Sequence, residues 1–251
     1  MVPGLPAPWV AAFEPYGPVH GLAVLVSALG WWGLLAWGRH VARTHGPEGA
    51  RRWRRAGALC LWGVNLAWLA RAMGPGHFTW QHSLPLHLCD LAWMAAGWSL
   101  WSAAPSTALR HQVPVLWGLS LSVMGYLSPA VTADPDGLDF WAFWVLHWQV
   151  LAVALLNLQV AGTRITAQGR LRTIVLTVLA CLVVTGLNLL LDSSYFFTGQ
   201  AKPANPSPVD WLGEWPLRIV WIVLLGAAAL HVVGGLLMLR QRRDPDLVAG
   251  R

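Results

Sequence analysis

The chain has 251 residues, of which 56% are hydrophobic and only 11% charged, against roughly 25% charged in soluble domains. That balance excludes a disordered chain, which needs low hydrophobicity and high charge, and argues against a soluble enzyme, whose core could not hide so many apolar side chains. The net charge of +6 rests on 17 basic residues, all Arg except Lys202; they fall in short gaps between apolar runs, which points to membrane topology rather than nucleic-acid binding.

In chain order, Met1 to Pro18 lacks a basic stretch and is rich in Pro and Gly, so no cleavable signal peptide is expected. Seven apolar stretches then approach the ~20 residues that cross hydrocarbon as helix. They lie at about 19–38, 56–73, 84–101, 113–131, 140–160, 172–191 and 216–239. Helix is the expected state, because unpaired backbone is costly in lipid and runs such as Ile174–Val184 do not alternate as barrel strands would. The expected fold is all-α: one polytopic transmembrane domain over 1–251, a seven-helix bundle without internal repeat.

Every second gap is basic. Arg39, Arg43, Arg51, Arg52, Arg54 and Arg55 follow the first span, Arg110 the third, Arg164, Arg170 and Arg172 surround the gap after the fifth, and Arg240, Arg242 and Arg243 follow the seventh. The positive-inside rule then predicts the N-terminus outside and the C-terminus cytoplasmic. Acidic residues gather in the other gaps: Asp134, Asp136, Asp139, Asp192, Asp210 and Glu214. The segment Asp192–Trp215 reads as an ordered external loop packed by Tyr195, Phe196, Phe197 and Trp211.

Ionisable groups inside spans are costly and are functional candidates by default. Cys89 and His147 both fall roughly 8–11 Å below the predicted outer boundary. Arg71, His87, Asp90, Gln149, Asn188 and Asp192 sit at similar depth, so a polar layer is expected in the outer half of the bilayer, with His231 the main exception. Span three reads QHSLPLHLCDL, with Ser83 as its predicted N-cap, Pro85 in its first turn, and His87 and Asp90 on one face. A lone Cys is usually a small buried hydrophobe and a lone His a hydrogen-bonded core residue. Matched depth raises the case for Cys89 as nucleophile and His147 as its general base.

Other chemistries fit less well. No HExxH or CxxC supports a metal site, and three Cys (Cys60, Cys89, Cys181) give no disulfide framework. His20, His87, His147 and His231 leave haem b as a weak alternative. A retinal-type Schiff base has no lysine within a span. No cofactor and no metal is expected.

QHSLPLHLCDL at 81–91, His147 within FWVLHWQVL, NLLLDSSYFFTGQAKP at 188–203 and DWLGEWP at 210–216 together resemble the YwaF-like bacterial integral membrane family. That family is similar to the eukaryotic transmembrane protein 164 and shares an architecture with androgen-induced fatty-acid-ester hydrolases. The resemblance implies a membrane-embedded acyl-transfer site, with Cys89 at the nucleophile position and His147 at the base position.

The expected protein is therefore a multi-pass protein of the cytoplasmic membrane, a lipid acyltransferase or acyl-ester hydrolase with catalytic Cys89 and His147. Arg71, His87, Asp90, Gln149, Asn188, Asp192, Tyr195 and Lys202 are the candidate substrate-binding residues. Its expected partners are membrane lipids, with a phospholipid or lysolipid substrate and no nucleic acid. The competing expectation is a non-catalytic transporter or small-ligand binder, in which Asp90, His87 and His147 relay protons or hold a ligand.

Overall fold

The computed structural model describes residues 13–129, 131, 133–200 and 208–243. These form helices joined by turns, with no strand among the described residues. The helices are α1 (Pro18–Ala72), α2 (Leu88–Trp101), α3 (Leu109–Trp117), α4 (Met124–Leu127), α5 (Leu138–Gln159), α6 (Ala167–Leu191) and α7 (Leu217–Arg243).

The expected count of seven spans is corrected. Among the described residues four helices are long and apolar enough to cross a membrane: α1, α5, α6 and α7. The first two predicted spans are fused in α1, because the Arg- and Ala-rich stretch between them is itself helical. Only Gly46 breaks it, at φ 63° and ψ −169°, followed by Pro47, which has no N–H to give. The two arms fold back on each other: the Trp37 and Trp53 rings meet edge-on at 5.6 Å, and a side chain at Gly38 would collide with Trp53. The third predicted span starts late. Ser83 is not its cap; the Ser83 hydroxyl accepts from the Thr79 N–H at 2.9 Å, and α2 begins at Leu88 behind the N-cap His87. The fourth is broken into α3 and α4 by Pro114 and a π turn at Gly118–Ser122, where the Val123 N–H reaches the Gly118 carbonyl at 3.1 Å.

Helix α2 is the short inner element. Its Ala92, Ala96 and Leu100 are buried with Leu61 of α1, Leu116 of α3, Val150 of α5 and Leu230 of α7. Small residues bring backbones close: a Cβ at Gly97 would lie 2.0 Å from the Trp62 indole nitrogen, and one at Gly118 would lie 2.7 Å from Ala154. Inside this core the Asn157 amide donates to Ser99 at 2.8 Å, a bond of a size averaging ~0.6 kcal/mol between membrane helices. The outward faces are apolar and unpartnered, with Leu25, Leu29 and Trp32 of α1, Leu179 and Val183 of α6, and Leu224 and Leu236 of α7 exposed. Faces this extended suit hydrocarbon rather than water. The chain is a multi-pass membrane protein.

The two ends of the bundle differ in charge. At one end Arg39 donates to Gln159, Arg110 to Ser102 and Arg55 to the Trp101 carbonyl. At the other, Arg71 pairs with Asp139 at 2.7 Å and Tyr16 donates to the Leu127 carbonyl. The described parts of the loop after α6 belong to this second end, with Tyr195 and Phe196 buried and Trp211 86% exposed; residues 201–207 of the expected loop lie outside the described residues.

Candidate functional site

Three elements converge on His147. Helix α2 brings Cys89 in its first turn, α5 carries the imidazole, and α4 gives way to it. The Cys89 Sγ lies 3.4 Å from His147 Nε2. The other ring nitrogen, Nδ1, lies 2.7 Å from the Phe143 carbonyl one turn back on α5. A carbonyl only accepts, so Nδ1 carries the proton, and the bare lone pair of Nε2 faces the thiol. The Phe143 ring lies 4.3 Å away, centroid to centroid. On α4 a Cβ at Gly125 would stand 2.3 Å from the imidazole Cδ2, so any side chain there would displace the ring.

Asp90 sits beside the pair and interacts electrostatically with His147. Its carboxylate accepts the His87 backbone N–H at 2.9 Å. It thereby closes the first turn of α2 and places an acid at the positive end of the helix. His87 meets Asp90 through its backbone; its ring stands edge-on to Tyr195 at 5.0 Å.

The remaining candidates divide. Tyr195 is wholly buried; its hydroxyl donates to the Trp80 carbonyl and accepts from the Leu84 N–H, both at 2.9 Å. It thus fixes the segment leading into α2. Asn188 is committed to the loop, donating to the Tyr195 carbonyl and Thr198 hydroxyl and accepting from Ser193 and the Tyr195 N–H. Arg71 is exposed, paired with Asp139 and stacked on Trp68, not on Asp90. Asp192 is exposed, ending α6 at φ 47°. Gln149 is buried, but two residues from His147 means ~200° around α5; its Nε2 has no partner among the described residues. Lys202 lies outside the described residues. The haem reading loses two ligands, because His147 has both nitrogens engaged and so does His20, with the Tyr16 N–H and the Tyr126 carbonyl, both at 2.9 Å.

Four features escaped the sequence reading. Gly118, Ser122 and Gly125 form a small-residue stripe, and the two glycines abut α5; their spacing was the available signal. The Ser122 hydroxyl is buried without a partner among the described residues. Arg218, 1% exposed, donates to the Gly199 carbonyl at 2.6 Å and ties the loop to α7. Finally, a narrow crevice of about 80 Å³ runs between α6 and α7 and reaches Leu88, the neighbour of Cys89.

No curated protein and no solved structure matches the chain significantly. Residues 15–233 match the TMEM164 family, a match over most of the chain and over every element of the site, and the protein belongs to that family.

Proposed function

We propose that the protein is a membrane-embedded acyl-transfer enzyme acting on lipid esters, with Cys89 as nucleophile and His147 as base. The observation that carries this reading is the 3.4 Å approach of the thiol to the unprotonated ring nitrogen, the geometry that a proton transfer in nucleophilic catalysis requires. In the first half-reaction the thiol proton moves to Nε2 while the sulfur attacks the ester carbonyl carbon. The tetrahedral intermediate then expels the alcohol, which leaves as a lysolipid carrying the proton from Nε2. In the second, a lysolipid hydroxyl or water gives its proton to Nε2 and attacks the thioester, and the returning proton restores the thiol. Asp90 stabilises the imidazolium that forms between these steps.

An oxyanion forms twice in this cycle. Asn188 is spent on the loop and Gln149 points away, so the role falls to Ser122. Its free hydroxyl is three residues, one helical turn, from Gly125. The Arg-rich end is placed at the cytoplasm by the positive-inside rule, which puts the N-terminus outside and the pair toward the outer side of the cytoplasmic membrane.

The test is lipid profiling. Purified wild type and Cys89→Ala are given vesicles of diacyl phosphatidylethanolamine and fluorescent lysophosphatidylcholine. The wild type acylates the fluorescent lipid or releases fatty acid, and the variant is slower by roughly a thousandfold or more. Equal turnover by both removes Cys89 as nucleophile, and no turnover by either removes the acyl-transfer reading in favour of a carrier or binder.

A further inference from the structure

We propose that the crevice between α6 and α7 is the acyl-chain channel of this site and that Gly226 sets the chain length it admits; the inference rests on the acyl-transfer reading above. The crevice reaches the first turn of α2, where Leu88 lines it and Cys89 is the next residue. Phe196, from the loop pinned by Asn188, lines it as well. Its floor is Leu230, which has no exposed surface. A chain thioesterified to Cys89 that turns past Leu88 has this apolar cleft to follow.

The lining selects against polar ligands. Its one hydroxyl, Thr177, is already used: it donates to the Thr173 carbonyl at 2.8 Å and accepts from the Trp117 indole at 2.7 Å. Cys181 adds a thiol that behaves as a small hydrophobe. A ligand bound here gains nothing from heteroatoms and gains from every methylene it buries.

The geometry also suggests a measuring position. Ile222, Gly226 and Leu230 recur every four residues and line one face of α7, over roughly 12 Å of helix. The middle of that stripe is a glycine in a helix interior, a poor choice for helix stability. A Cβ built at Gly226 meets nothing within 4 Å, so close packing of helices is not what excludes a side chain. The vacant position lies in the middle of that stripe, where a side chain would block a long chain and leave a short one room.

Purified wild type, Gly226→Leu and the milder Gly226→Ala are assayed in detergent with p-nitrophenyl butyrate, octanoate and palmitate, and each variant's thermal unfolding is recorded. Gly226→Leu is expected to lose roughly 10- to 200-fold in kcat/KM on palmitate and to keep butyrate turnover within about twofold, with Gly226→Ala shifted less in the same direction. An unchanged length profile in a folded Gly226→Leu, or an equal loss on all three esters, overturns the channel while acyl transfer stands. A wild type that cleaves none of the esters and forms no Cys89 thioester by intact mass sinks the acyl-transfer reading and the channel with it.

Discussion

The two ends of this bundle hold their polar groups differently. At the Arg-rich end two side-chain amides are occupied with backbone. Gln112 donates to the Thr107 carbonyl at 2.5 Å and accepts from the Thr166 N–H at 2.8 Å. Gln241 spans the Thr163 carbonyl and the Ile165 N–H, both at 3.1 Å. Toward the other end Asn188 and Tyr195 do similar work, yet beside them lie groups with no backbone to hold: the Cys89 thiol facing His147, and the bare hydroxyl of Ser122. Buried polar atoms usually find partners. Unpartnered atoms occur at both ends among the described residues, Arg54 Nε, His111 Nδ1 and Thr163 Oγ1 included; what sets the second end apart is the thiol aligned on an imidazole.

Three substitutions or conditions sharpen this contrast. Ser122→Ala, at the reactive end, should lower kcat by roughly 10²- to 10³-fold, about 3–4 kcal/mol of barrier. KM and the thermal transition should stay near wild type, because no partner is lost. A variant with normal kcat assigns the hydroxyl no part in the reaction. Gln112→Ala, at the Arg-rich end, should do the reverse. It strands the Thr166 N–H and costs about 1–3 kcal/mol of stability, read as a lowered unfolding temperature, with acyl turnover in the surviving folded protein intact. Loss of turnover with unchanged stability would erase the distinction between the ends.

The smallest effect concerns His111, near the same Arg-rich end. Burial, then the charges of Arg54 and Arg110, hold its ring below the ordinary value of 6.5, against an upward pull from the hydrogen bond to the Ala104 carbonyl. Because the unfolded chain binds this proton more readily, the stabilisation is complete above 6.5 and declines as the pH falls through the folded value. Unfolding temperatures between pH 7.5 and 5 should drop less in His111→Gln than in wild type; parallel curves would exclude His111 as the titrating group.

Much of this was legible in the chain. Apolar runs and Arg-rich gaps announce a membrane bundle, and depth counting along two spans pairs Cys89 with His147. What failed was local. Ser83 and Pro85 looked like a helix start, but the chain runs on to His87, because Ser83 is held by the Thr79 N–H and the Leu84 N–H by Tyr195. The first two spans looked separate because charge separates them, yet Arg and Ala favour helix and only Gly46 interrupts it. Asn188 reads as a substrate-binding residue by its depth, but depth says nothing of direction, and its amide faces the loop. Gly125 and Ser122 carry no signal beyond their small-residue spacing; Gly125 matters through the His147 ring that packs on it.

His147 Nδ1 rests on the carbonyl of Phe143. That carbonyl belongs to the main chain, so the partner that orients His147 survives almost any replacement at position 143. A nucleophile's base steered by a carboxylate can be disarmed by one codon change at the steering residue. Here the steering group is inherited with the helix itself, and drift at that position leaves the imidazole pointing the same way.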